Sequence, residues 1–473
     1  MYSRKMEKNS YQYKTTADQE TKKQSSLNNS LKEGALASVS AGIANNYFSA
    51  YAIALKSSTT FVGLITALPN LLGPLSQSIT PKLMRSYSRK KIVLISVLVQ
   101  TLMWLPMMGA GVMFLQGNAY AHPFLLGFLL LYTIFGSIAG PAWISWMGDM
   151  VDEHQRGAYF GLRGSLASLC TLLGVVIGGL ALDFFKSQGT EVYAISGFFV
   201  LFGAGMLLRL LSLVWMKKQY EPTFKAEKTA YFSFWSFLKK IRKSNYGRFT
   251  LSVSITLLAT NIAGPYFSLY MLRDLEFSYT QFMTLNTLTV LATFLSVRAW
   301  GKIGDKTGFV SILKLTGLLV ILPPLLWFFT VFMSPAIAFF YLIPIFFLSG
   351  IGWAGFNLAA GNFLYDAVTP ERRSICSAYS SILNGFGVVL GTLLGGFFIN
   401  HMPTAGFNAI MIAALLSAIG RFFVNILIST HIQEVRPVQK ELLYELRLNT
   451  AESIFNIFLF PYHFVSKHIK NGK

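Results

Sequence analysis

Long apolar runs separated by short polar loops fill the chain from residue 31 to residue 430. Twelve runs have the length of a membrane helix, near residues 31–55, 59–80, 91–115, 123–147, 157–184, 193–216, 247–272, 278–299, 309–331, 335–365, 374–399 and 405–430. About 20 apolar residues are needed to cross about 30 Å of hydrocarbon. Only helices or closed barrels satisfy the backbone in lipid, and these runs lack the alternation of barrel strands. The pattern predicts an all-α integral membrane protein with twelve transmembrane helices. Residues 1–30 are polar and Lys-rich and read as a disordered tail. The segment 217–246 divides six helices (31–216) from six (247–430). The stretch "YFSFWSFLKKIRKSNYGRF" mixes aromatics with basic residues, as an interfacial helix or a plain basic linker would. The tail 431–473, ending "SIFNIFLFPYHFVSKHIKNGK", carries the same two readings.

Composition agrees with this pattern. Hydrophobic residues make up 53% of the chain and charged ones 13%, against about 25% charged in a soluble domain. A net charge of +20 would suit nucleic acid if it were clustered on a soluble face. Here the charges lie in loops, so no nucleic-acid partner is expected. Lys and Arg gather in the N-terminal tail, in the loop after helix 2 (Lys82, Arg85, Arg89, Lys90, Lys91) and between Lys217 and Arg248. The alternate loops carry only Lys56, Lys186 and Arg273. Basic residues stay inside, which predicts a multi-pass protein of the inner cell membrane with both termini cytoplasmic. Cys170 and Cys376 sit in apolar runs, with no metal-ligand spacing. No nucleophile–base set is present, so neither an enzyme nor a cofactor is expected.

Two stretches repeat. "GDMVDEHQRGAYFGLRGSLASLCTLLGVVIGG" (148–179) and "YDAVTPERRSICSAYSSILNGFGVVLGTLLGG" (365–396) superpose at an offset of 217. Asp149 meets Asp366, Arg156 meets Arg373, and Gly174, Gly178 and Gly179 meet Gly391, Gly395 and Gly396. Each copy starts at the end of the fourth helix of its half and runs through the fifth. Six is an even number, so both halves enter the membrane in the same sense, as a parallel pseudo-repeat. The glycines allow close helix approach.

The loop between helices 8 and 9 reads "GKIGDKTG", with Gly301, Asp305, Lys306 and Gly308. Its counterpart between helices 2 and 3 reads "PKLMRSYSRKK", with Arg85 in place of Asp305 and with Arg89 and Lys90 behind it. With the 6+6 layout, these residues make the chain resemble the major facilitator superfamily, of bacterial type. Its signature loop is G-x-x-x-D-[RK]-x-G-[RK]-[RK], and the resemblance covers nearly the whole chain except the tails. The second-half loop lacks the closing basic pair, having Phe309 and Val310; the first-half loop keeps the basic end and lacks the acid and the glycines. The resemblance implies that Asp305 faces the start of helix 5, near Arg156 and Gly157, when the cytoplasmic side is closed. A helix N-terminus carries about half a positive charge, so a fixed anion suits it. Asp149 and Asp366 are expected to tie down their own loops, to Arg89 or Lys90 and to Lys306.

An ionisable group inside a membrane is a functional candidate by default. The acids Glu33, Asp149, Asp183, Asp274, Glu276, Asp305 and Asp366 all fall at predicted helix ends, which leaves the coupling ion, a proton or none, open. Arg209, Lys314 and Arg421 are expected to snorkel to the cytoplasmic surface, and Arg163 to snorkel or to pair with Asp149. The resemblance implies that helices 1, 4, 7 and 10 line a solute cavity. They offer Asn45, Asn46, Tyr47 and Tyr51; Trp143; Asn261, Tyr266 and Tyr270; Trp353 and Asn357. Amides and aromatic faces suit a neutral or amphiphilic organic solute; the competing reading is hydrogen bonding between helices. The expectation is a monomeric secondary transporter whose partners are a small organic solute and the bilayer. The degenerate first-half loop supports an alternative: a non-transporting sensor or lipid-handling protein on the same scaffold.

Overall fold

A computed structural model describes residues 2–223, 232–277, 279–401 and 408–436. The first half contains α1 (Tyr2–Ile43, continued after a break by Phe48–Ala54), α2 (Thr59–Ser76), α3 (Arg89–Leu115), α4 (Ala121–Met150), α5 (Arg156–Lys186) and α6 (Glu191–Lys217). The second contains α7 (Asn245–Asp274), α8 (Tyr279–Thr307), α9 (Phe309–Trp327), α10 (Pro335–Ala367), α11 (Arg373–His401) and α12 (Ala409–His431). No strand occurs among the described residues. Ten of these helices are long and apolar enough to cross a membrane on their own. The other two are the interrupted α1 and α2, whose 18 residues include Pro69 and Pro74.

Each half fills its own interior. Tyr51, Trp104 and Phe202 form one buried layer of the first half, and Met84, Trp146 and Met147 another. In the second half the layers centre on Trp300, Phe309 and Phe363, and on Trp327 and Leu342. Leu180, Phe340 and Phe423 stay exposed on the outer surface, as lipid-facing side chains do, since lipid gives helices no hydrophobic reason to hide them.

The N-terminal segment departs from the disorder expected of it. Helix α1 begins at Tyr2, and its polar part docks on the bundle. The Ser26 hydroxyl accepts from the Tyr220 amide at 2.7 Å, and Tyr159 donates to the Leu27 carbonyl at 3.4 Å. A polar stretch that continues a membrane helix already has its backbone satisfied, which composition does not register. In the central segment, Phe234–Lys240 is a short helix capped by the Ser233 hydroxyl. Phe237 is buried, and Phe232, Phe234 and Phe237 pack around the Tyr379 ring of α11, while Trp235 is exposed. Residues 224–231 and the aromatic tail 437–473 lie outside the described residues.

The repeat also appears as a shared interruption. α1 breaks after Ile43, and α7 breaks after Asn261, within one residue of each other at the offset of 217 seen in the sequence. Below each break the fifth helix of the half packs against the first. A Cβ on Gly174 would lie 2.6 Å from the Val39 carbonyl, and one on Gly391 2.2 Å from that of Leu258. The next glycines seat a tyrosine: Gly178 faces the Tyr47 ring and Gly395 the Tyr266 ring. Tyr47 donates to the Val175 carbonyl at 2.5 Å and Tyr266 to that of Thr392 at 2.7 Å.

Candidate functional site

The halves meet closely on the face that carries the basic loops. There α5 crosses α8 at Gly157 and Gly301. A Cβ on Gly301 would lie 2.0 Å from the Gly157 carbonyl oxygen, so only glycine permits the approach. The crossing brings Asp305 to the first turn of α5. Its two carboxylate oxygens accept from the Gly157 amide at 2.8 Å and the Ala158 amide at 2.7 Å. Amides at that place have no partner within their own helix, and the helix dipole favours the negative charge. Gly308, at φ 84°, makes the turn from α8 into α9.

Four acids and four arginines surround this contact: Asp149, Glu221, Asp305 and Asp366 with Arg89, Arg156, Arg373 and Arg436. Asp366, whose side chain is 0% exposed, lies 3.4 Å from Arg156 and 2.8 Å from Arg436. Arg436 also reaches Asp305 at 3.2 Å and covers the Phe309 ring. Asp149 is held by Arg89 at 2.5 Å and by Arg373 at 2.9 Å. Tyr365 of α10 lies beneath the Arg156 and Arg373 guanidinium groups and stacks on Phe160 of α5. The balance of charge matters because a buried ion without its partner is costly. Three of these contacts cross between the halves: Asp305 with α5, Asp366 with Arg156, and Asp149 with Arg373.

Asp366 does not take Lys306, which is exposed; it takes Arg156 and Arg436. Arg436 follows the last helix and reaches Asp305 and the Phe309 ring of the loop that lacks the closing basic pair. Glu434, two residues earlier, accepts from the Val310 amide at 2.8 Å and so caps α9. Asn245 and Gln433 exchange two hydrogen bonds that fasten the same segment. In the first half Lys90 donates to the Gln219 carbonyl at 2.6 Å, and Arg89 also reaches the carbonyls of Ser145 and Pro222. No local pattern in the "QEVR" after α12 marks Arg436 or Glu434 as partners of that loop.

The arginines expected to snorkel turn inward instead. Arg163 lies over the Trp143 ring and 3.0 Å from Glu33, and Arg209 reaches the other oxygen of Glu33 at 3.3 Å. Because α1 starts far upstream, Glu33 is not at a helix end but 2% exposed inside the bundle. These three line a cavity of about 360 Å³ with Asn45, Gln100, Tyr132 and Trp143. A second cavity of about 330 Å³ lies between the halves, with Trp143 and Phe160 on one side and Asn357, Tyr365 and Asn384 on the other. A third, of about 190 Å³, lies in the second half and includes Asn286, Trp353 and Arg421.

Of the cavity candidates, Asn45, Trp143, Trp353 and Asn357 line these spaces. The tyrosines do not, because each hydroxyl is spent between helices. Tyr47 and Tyr266 seat on the glycines described above, Tyr51 donates to the Met107 carbonyl at 3.0 Å, and Tyr270 bonds Thr330 at 3.1 Å. Asn46 and Asn261 donate to carbonyls of their own helices, Ala41 and Leu257, beside the breaks.

A family model described as Major Facilitator Superfamily matches residues 34–249 and 249–460. The chain belongs to the major facilitator superfamily. Three solved structures share the fold of this superfamily member. A bacterial homologue of the iron transporter ferroportin, in an outward-facing state, is 12% identical with TM-score 0.65, over 85% of this chain and 98% of that one. The Escherichia coli fucose:proton symporter is 13% identical with TM-score 0.65, over 86% and 98%. A proton:xylose symporter is 11% identical with TM-score 0.65, over 90% and 99%. No curated protein matches the chain in sequence. The superfamily assignment makes the chain a multi-pass membrane transporter by family, and not an enzyme.

Proposed function

We propose that the protein is a secondary transporter that carries a small organic solute by alternating access, with the basic face cytoplasmic and closed in this structure. The contact that carries the reading is Asp305 capping α5 across the two halves. It joins two separately packed bundles through amides that water could equally satisfy, so it can be made and released. The matched breaks in α1 and α7 support it, since interrupted helices at corresponding places of two repeats point to a transporter's binding region. The degenerate first-half loop, which favoured a non-transporting protein, keeps a cross-half contact of its own through Arg89, Asp149 and Arg373.

Proteoliposomes tested against a panel of labelled solutes are expected to show saturable movement of at least one. Lipid binding with no solute moved would favour the sensor reading. A cysteine placed at Gln188 should react with external thiol reagent in intact cells and one at the exposed Ser25 should not; the reverse would invert the orientation.

Asp305→Asn is expected to shift the halves toward opening on the basic face. A charge at a helix end is worth about 0.3–2 kcal/mol, or about two- to thirty-fold in the population ratio. Spin labels at the exposed Glu153 and Arg372 report the separation. Arg85→Ala, on the exposed loop of the other half, should shift it much less. Equal shifts from both substitutions would remove Asp305 from the gate.

A further inference from the structure

Arg421 stands ten residues before the end of α12 at His431, about 15 Å along the helix axis at 1.5 Å per residue. That is too deep for its side chain to reach the membrane surface, and it is 5% exposed. Its one hydrogen bond goes from Nη1 to the Val320 carbonyl at 2.7 Å. The reason is local: Pro324 has no amide to offer that carbonyl four residues back. The bond satisfies a backbone oxygen and leaves the charge uncompensated. Nε has no partner, and no acid pairs with the guanidinium among the described residues.

The guanidinium borders the cavity of about 190 Å³ in the second half, which no acidic side chain lines. Its other polar groups include Ser268, Asn286 and Ser349, and its aromatic walls include Phe267, Trp327 and Trp353. The cavity of the first half leans the same way, with Arg163 and Arg209 against the single carboxylate of Glu33. An unpaired cation held deep in a membrane protein marks a ligand path or a missing counter-ion. A guanidinium matches a carboxylate through paired N–H donors, and the aromatic walls suit an apolar body behind it.

We propose that Arg421 receives the carboxylate of an organic anion whose aromatic or apolar body fills the cavity of the second half. This rests on the transporter reading and narrows its solute from neutral or amphiphilic to anionic. Arg421 acts as a binding residue, while its bond to Val320 keeps the guanidinium aimed into the cavity.

The test uses the purified full-length protein with benzoate and its neutral isostere benzamide as probes, read by tryptophan emission, since Trp327 and Trp353 line the cavity. Benzoate is expected to bind at least tenfold more tightly than benzamide, the difference a hydrogen bond to a charged group makes. Arg421→Gln, which keeps a donor for Val320, should weaken benzoate about tenfold or more and leave benzamide unchanged. Arg421→Lys should retain part of the preference. Absence of benzoate binding, equal affinity for the two probes, or full benzoate affinity in Arg421→Gln would each overturn the proposal. The comparison of probes needs no variant, so a misfolded variant does not obscure it. Labelled benzoate in proteoliposomes separates the two readings. Binding without flux keeps the anion site and defeats transport. Flux of neutral solutes without benzoate binding does the reverse.

Discussion

Asp366→Asn is expected to open the basic face more than any other single change. The carboxylate is fully buried between Arg156 of the first half and Arg436 of the second. Its removal leaves Arg156 with the Gly148 carbonyl and the Tyr365 ring but no anion. Breaking a buried pair by deleting one member costs about 3–5 kcal/mol, mostly from the charge left behind. In the open arrangement water can reach Arg156, so the penalty falls on the closed state alone. The closed-to-open ratio should drop by about two orders of magnitude or more, visible as longer distances between labels at Glu153 and Arg372. Adding Arg156→Gln should restore most of the closed population, because the stranded charge is then gone. Unchanged distances in Asp366→Asn, or no recovery in the double variant, would show that the pair does not hold the halves together.

Glu33→Gln should have the next largest effect, and in a different place. It strips Arg163 and Arg209 of their shared carboxylate and leaves two like charges beside one cavity. The same mechanism costs about 3–5 kcal/mol, here toward the lower end because the two arginine side chains are 21% and 19% exposed. The expected result is a lower thermal midpoint for the purified protein with little change at the basic face. Glu33→Gln combined with Arg209→Gln returns the cavity to its original net charge and should recover much of the loss. A midpoint equal to the unmodified protein would mean that water already screens these charges.

Much of this architecture was legible along the chain. Hydrophobic run length alone yields the membrane helices, because lipid forces each segment to satisfy its own backbone. The offset repeat yields two halves of like orientation, and the family resemblance carried by the loop implies that Asp305 faces α5. Asn45, Trp143, Trp353 and Asn357 were recognisable as polar or aromatic groups on helices that line the cavities.

What could not be read concerns direction and distant pairing. A charge inside an apolar run either snorkels or turns inward, and only the neighbouring helices decide which. Arg163 finds Glu33 from 130 residues away, and Arg421 finds a carbonyl that a proline on another helix has left open. The tyrosines show the reverse case, since glycines on the fifth helix of each half open notches that draw Tyr47 and Tyr266 out of the cavity. Arg436 lies 131 residues beyond Asp305 in sequence, where no local pattern links it to the loop it completes. Local physics therefore determined which segments enter the membrane, while the partners of the buried charges followed from packing, because a counter-ion is chosen by proximity in space.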